Sequence, residues 1–222
     1  MQQVTKQFSS ATSRKTMWTE SVEELITQLA ASKGTVGILY TSEDLAPFLG
    51  KMLDQLRLKT DVTDWAGASG YGTISHTGEI FGESSATVIV LDLPPDAYRV
   101  FSGNADVGTL LSAKETEWLA EATMPLAISH VDPRHTHAME AISNLAKMTG
   151  SFLIGGLTAA SSDPPHLVND QKTCMSGIAI SPMKAEIFTG LSQGCSPISE
   201  TLTVTKAPVS YTHLTLPTKR IV

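Results

Sequence analysis

Between Gly150 and Thr205 the chain is built from short apolar runs rich in β-branched residues, each cut off by Gly, Ser, Thr or Pro. The stretch reads GSFLIGGLTAASSD, then CMSGIAIS, then AEIFTGLSQGCSPISETLTVT. Runs this short, bounded by turn formers, point to strands that end in loops. Gly155, Gly156 and Gly194 lack a Cβ and permit backbone approaches that bulkier residues forbid. The fold must therefore accommodate several strand ends where main chain is left bare.

Upstream the period changes. Val22, Leu25, Ile26 and Leu29 recur at helical spacing, with Glu23 and Glu24 near the positive end and Gly34 as the stop. Val36–Tyr40 reads as a buried strand. Leu45, Phe48, Leu49, Met52, Leu53 and Leu56 then share one helical face. Pro47 fits only the first turn, which puts the cap at Ser42 or Asp44. An extended segment covers Val62–Ala66, and a glycine-rich loop or irregular hairpin spans Gly67–Gly82. Ala86–Leu93 is apolar without interruption, as expected of a strand buried on both faces, and Pro94-Pro95 ends it.

Tyr98–Phe101 is a further short strand, and Ser112 with Glu115 forms a capping box for a helix carrying Trp118 and Leu119. Leu126–Val131 is a strand, after which Asp132-Pro133 opens a helix with buried face Met139, Ile142, Leu145 and Ala146, closed by Gly150. Later strands are expected near Ser151–Ile154, Gly177–Ile180, Ala185–Leu191 and Leu202–Thr205. This order predicts an α/β layered domain whose mixed, partly antiparallel sheet is flanked by helices. No internal repeat is visible in the sequence.

Several groups invite chemistry, each beside a plainer role. The glycines of Gly67–Glu79, including Gly70 and Gly72, do not fall in the Gly-x-Gly-x-x-Gly order, and no phosphate-binding lysine accompanies them. They serve either a hairpin with left-handed residues or a loop lining a ligand. His130, Asp132, His135 and His137 are metal-ligating types, but Asp132 is explained as a helix cap, and His135 and His137 do not share a helix face. The Arg134 guanidinium suits a two-pronged grip on a carboxylate, or pairs with an acid such as Glu140. Cys195 is a packing residue or, given an activating base, a nucleophile. Gln193 and Thr158 orient a polar ligand or satisfy strand-end backbone. Asp64, Glu79 and Glu83 form no fixed pair for acid/base work.

Gly155-Gly156-Leu157-Thr158, Ser176-Gly177, and Gln193-Gly194-Cys195-Ser196-Pro197 followed by Thr203-Val204-Thr205 together resemble the FIST sensory domain. Leu93-Pro94-Pro95-Asp96 and Asp132-Pro133-Arg134 resemble landmarks of its stand-alone bacterial members. The resemblance covers roughly Val36 to Thr205. It implies a cytoplasmic sensory module for signal transduction rather than an enzyme, binding a small polar metabolite such as an amino acid and needing no cofactor. The ligand-binding set it suggests is Gly67, Gly70, Gly72, Asp132, Arg134, Gly155, Gly156, Thr158, Gln193, Gly194 and Cys195, with no metal. The Gly67–Glu79 segment departs from the Gly-Cys-Ser/Thr-Thr form of kinase-linked members, so their ligand does not transfer.

Two alternatives stay open. One is a haem-binding gas or redox sensor with His76, His130, His135 or His166 as axial ligand. The other is an enzyme using Cys195 or Ser69 as nucleophile. The expected division is a disordered 1–19, a FIST N-like domain over 20–190, and the start of a truncated C-terminal FIST region at 191–208. Val209–Val222 (VSYTHLTLPTKRIV) is read as a translated sequencing adapter, a non-native tail. Output then passes to a signalling protein or to the missing C-terminal FIST domain.

Composition narrows the partners. A net charge of −6 over 222 residues, with no basic stripe, repels phosphate backbones and anionic membranes. Hydrophobic residues make up 41% and charged residues 17%, enough to build a core. Two cysteines, Cys174 and Cys195, suggest no disulfide framework.

Overall fold

The computed structural model describes residues 8–30, 33–103, 117–119, 121–122, 124–136, 138–159, 175–190, 194, 196, 200, 206–209 and 213–215. Residues up to Ile187 form one compact unit, and those from Phe188 form a second, whose described strands are β11 (Lys206–Val209) and β12 (His213–Thr215).

The first unit holds β1 (Phe8–Ser13), α1 (Trp18–Leu29), β2 (Val36–Ser42), α2 (Leu49–Thr60), β3 (Asp64–Gly70), the hairpin β4 (Gly72–Ser75) and β5 (Gly78–Phe81), and β6 (Ala86–Leu91). After these come β7 (Tyr98–Gly103), a helical segment at 117–119, β8 (Leu126–Val131), α3 (Ala138–Thr149), β9 (Phe152–Leu157) and β10 (Met175–Ile180). Two four-stranded sheets result, ordered β1-β6-β2-β3 and β7-β10-β8-β9. In each, one parallel pair (β2 with β3, β8 with β9) is extended by antiparallel strands. The fold is the expected layered α/β domain with mixed sheets flanked by helices.

Side-chain alternation along the strands fixes the layers. In β2, Leu39 joins Ala11, Val88 and Trp65 against α1 (Val22, Leu25, Leu29) and α2 (Met52, Leu53, Leu56). Its neighbours Val36 and Ile38 face the other way and pack with Ala66, Tyr98, Ile178 and Ile180, joining the two sheets face to face. In the second sheet, Phe101, Ala127, Val131, Met175 and Ala179 meet Trp118, Leu119, Ala138, Ala141 and Leu145. The layers therefore run helix, sheet, sheet, helix. Tyr98 links the sheets by donating to the Thr35 carbonyl at 3.0 Å and the Asp64 carboxylate at 2.9 Å.

The two sheets are copies of one topology. Each runs edge strand, helix, central strand, helix, parallel neighbour, then an inner antiparallel strand. Their alignment is pinned by Gly67 and Gly155, at φ +136° and +134°. A Cβ added to Gly67 would sit 2.8 Å from the Leu39 carbonyl carbon and 2.9 Å from its nitrogen. One added to Gly155 would meet Ser129 at the same two distances. Hence Leu39 corresponds to Ser129, Tyr40 to His130, Trp65 to Leu153 and Val88 to Gly177. The internal repeat not visible in the sequence is present in the structure, because equivalent positions share period and backbone shape but not side chains.

Other expectations need correction. The disorder expected of 1–19 does not hold for Phe8–Ser13, which pairs along β6 as an edge strand. Neither Ser42 nor Asp44 caps the second helix. The Ser42 hydroxyl donates to Asp44 at 2.5 Å and Ser84 donates to the other carboxylate oxygen, while Ser85 N–H bonds Ser42 Oγ at 2.8 Å, tying β2 to β6. Pro47 lies in a 3-10 turn, Ala46–Phe48, leading into α2. Residues 185–190 form no strand, since Lys184 and Ala185 N–H bond back to the Ser181 carbonyl and turn the chain away. Gly150 does close its helix, at φ +57°. Ser112, Glu115 and Leu202–Thr205 lie outside the described residues.

Candidate functional site

The carboxyl ends of both parallel pairs meet in one recess. Its volume is about 220 Å³, and it is lined by Tyr40, Ala68–Gly72, His130 and Gly156–Ala159. Open α/β sheets place ligand clefts at this end of parallel strands. Here two such ends converge, one from each half of the duplication.

At the centre Tyr40 and His130, equivalent residues of the two halves, touch each other. The Tyr40 hydroxyl lies 2.8 Å from His130 Nε2, and the rings meet edge to face with centroids 5.2 Å apart. Burial pushes the Tyr40 phenol up to about 12, so it stays protonated beside the imidazole. Burial also holds the His130 pKa below its ordinary value, with the Ser176 main chain partly opposing. The imidazole is therefore neutral at physiological pH.

That depression has a sign. The unfolded chain takes up the His130 proton near pH 6.5 while the folded chain resists it, so below about 6.5 the unfolded state binds more protons. The His130 contribution to stability is complete above that pH and is lost as pH falls. Urea unfolding across this range is expected to show a slope that His130→Gln reduces; an unchanged slope contradicts the assignment.

Of the residues singled out from sequence, Gly70, Gly72, Gly156 and Thr158 line the recess. Their roles differ. A Cβ at Gly70 would meet only the Gly72 carbonyl oxygen at 3.8 Å, and one at Gly156 would meet nothing within 4 Å, so both positions are open to the cleft. Gly72 is pressed against Ile80 and Phe81 of the hairpin. Gly67 and Gly155 serve strand packing. Thr158 N–H donates to the Val131 carbonyl at 2.8 Å, extending the ladder past β9.

Asp132 and Arg134 do not line the recess. The Asp132 carboxylate accepts from Arg134 N–H at 3.0 Å and Nε at 3.1 Å. It therefore holds a local turn, and α3 begins later, at Ala138. Gly194 is exposed and belongs to the second unit. Gln193, Cys195, His137 and His166 lie outside the described residues. Among the described residues, no three His, Cys, Asp or Glu side chains gather as a metal-ligand set.

A family model for the FIST N domain matches residues 35–212. The chain belongs to the FIST N domain family. Among curated proteins, none matches it. FIST N domains are sensory domains of signalling proteins, which fits a layered scaffold carrying a recess. In this FIST N domain no helix among the described residues is long and apolar enough to cross a membrane. The sequence marks His130 as a metal-ligating type and a candidate haem ligand, and does not mark Tyr40. The usable signal was positional: each is the fifth residue of the central parallel strand of its half.

Proposed function

We propose that this FIST N domain senses a small polar metabolite seated in the recess around Tyr40 and His130. What carries the reading is the convergence of equivalent strand ends, Ala68–Gly70 and Gly156–Thr158, on that hydrogen-bonded pair. Bare main chain at Gly70 and Gly156 lets a ligand approach closely. The hydroxyls of Tyr40, Ser69, Tyr71 and Thr158 offer polar contacts. No Lys, Arg, Asp or Glu lines the cleft among the described residues, so a ligand with ionised groups would lose hydration without a countercharge. An uncharged polar metabolite therefore fits better than an amino acid. Arg134, whose Nε bonds the Asp132 carboxylate at 3.1 Å, does not line this recess, so the reading does not use it.

A bound ligand bridges the two halves of the duplication, and output passes to a signalling protein or a C-terminal FIST region. The haem alternative is less favoured. The recess is smaller than the roughly 300–1,000 Å³ of pockets for drug-sized ligands, and Tyr40 occupies the His130 nitrogen.

A thermal-shift screen of uncharged metabolites and amino acids tests this. A ligand at a hundredfold its Kd adds about 2.7 kcal/mol, which for a chain of this size raises Tm by roughly 5–10 °C. The shift is expected for wild type and reduced in Gly156→Ala, whose methyl enters the recess. An equal shift in both would place the ligand elsewhere.

A further inference from the structure

The hairpin of β4 and β5 turns one face inward and leaves the other bare. Side chains alternate across an antiparallel pair, so the paired Thr73 and Ile80 share the inner face. Both are buried. The Thr73 hydroxyl donates to Ser85 Oγ at 3.0 Å and accepts from the Thr87 hydroxyl at 3.2 Å, which seats the hairpin against β6. The outer face carries Ile74 and Phe81, 77% and 79% exposed. Ile74 pairs with Glu79, and Gly72 with Phe81, so the two apolar side chains are diagonal neighbours on that face. Left in water they add nothing to the core, and large apolar side chains grouped in solvent mark interaction sites.

The charge around this face decides what it fits. Glu79 stands on the face itself. Tyr71 and Gly82, which flank the paired Gly72 and Phe81, line a cleft of about 490 Å³. Its walls also carry Glu43, Asp44 and Glu83, and no Lys or Arg among the described residues. The Asp44 carboxylate accepts from the Ser42 and Ser84 hydroxyls, neither of which neutralises it. Arg14 offsets part of the charge through an exposed contact with Glu83 at 3.3 Å. Two copies meeting through this face would set these carboxylates against their own kind, and an anionic lipid surface would be repelled in the same way. A partner bringing apolar side chains to Ile74 and Phe81, and cations to the carboxylates, is matched on both counts.

We infer that the outer face of this hairpin is the docking surface for a signalling partner, and that the partner presents a basic amphipathic helix. Its apolar stripe covers Ile74 and Phe81, as a helix covers a sheet face within a domain. A Lys or Arg beside the stripe enters the cleft at Asp44 and Glu83. The hairpin begins at the lip of the ligand recess, and Tyr71 borders both the recess and the acidic cleft. A metabolite that moves Tyr71 therefore alters the docking surface. This coupling rests on the sensory reading above, whereas the docking surface does not.

The test is fluorescence-anisotropy titration of the whole chain into a labelled leucine–lysine peptide, about five helical turns long, with its leucines on one face. Saturable binding that weakens as salt rises is expected for wild type, and none for a leucine–glutamate peptide of the same pattern. Phe81→Ser, at an exposed position where folding is little affected, is expected to weaken binding about tenfold. Glu79→Lys/Glu83→Lys is expected to weaken it about three- to tenfold at low salt. Urea unfolding checks that each variant is folded. Absence of binding to wild type, or equal binding to Phe81→Ser, overturns the proposal. So does a wild-type dimer in sedimentation that Phe81→Ser dissociates, which makes the face a contact between copies. A peptide affinity that a stabilising metabolite leaves unchanged overturns the coupling. Peptide binding in a protein that no metabolite stabilises leaves the docking surface standing and sinks the sensory reading alone.

Discussion

Replacing Gly67 or Gly155 with alanine is expected to cost about 3 kcal/mol of folding free energy or more. Both sit at φ near +135°, where a side chain is strained before any contact is counted. Both also lie so close to the neighbouring strand that an added methyl would fall on the Leu39 or Ser129 carbonyl oxygen. Relief would require prising β3 from β2, or β9 from β8, along a fully paired parallel ladder. Urea unfolding checks this directly. Gly70→Ala and Gly156→Ala are the contrast, since the added carbon enters ordinary contact or open space. They are expected to stay within about 1 kcal/mol of wild type. If all four variants behave alike, the division between scaffold and cleft glycines is wrong.

The second large effect follows from exchanging residues between halves. Leu39→Ser places in the first sheet the residue that its counterpart Ser129 supplies in the second. Leu39 is fully buried among Trp65, Val88 and both helices. The substitution removes apolar volume, leaves a cavity, and buries a hydroxyl with no partner. The expected loss is about 3–5 kcal/mol, read as a fall in urea midpoint with little change in slope. A cost below about 1 kcal/mol would mean that this layer repacks freely.

The layered α/β class was legible because the signals that carry it are local. Val22, Leu25 and Leu29 recur at helical spacing, and Ala86–Leu93 reads as a strand buried on both faces; the structure shows both, the strand ending at Leu91. Sequence spacing could not show the duplication. Trp65 and Leu153, or Val88 and Gly177, hold the same place with unlike side chains, and the copies agree only in backbone shape. The Tyr40–His130 contact joins residues 90 apart in sequence, across two sheets, and no periodicity reaches that far. Asp132 misled for a local reason: an aspartate followed by proline suits a helix start and a tight turn equally, and its carboxylate was taken up by Arg134.

Imidazole nitrogen NMR of the histidines, recorded while the strongest metabolite from the thermal screen is titrated in, tests the account most directly. His130 Nε2 is hydrogen-bonded to Tyr40 inside the recess, so its resonance is expected to move in proportion to saturation, with the half-buried His135, outside the recess, unmoved. A metabolite that stabilises the protein while His130 stays still contradicts the placement of the sensory site between the two halves.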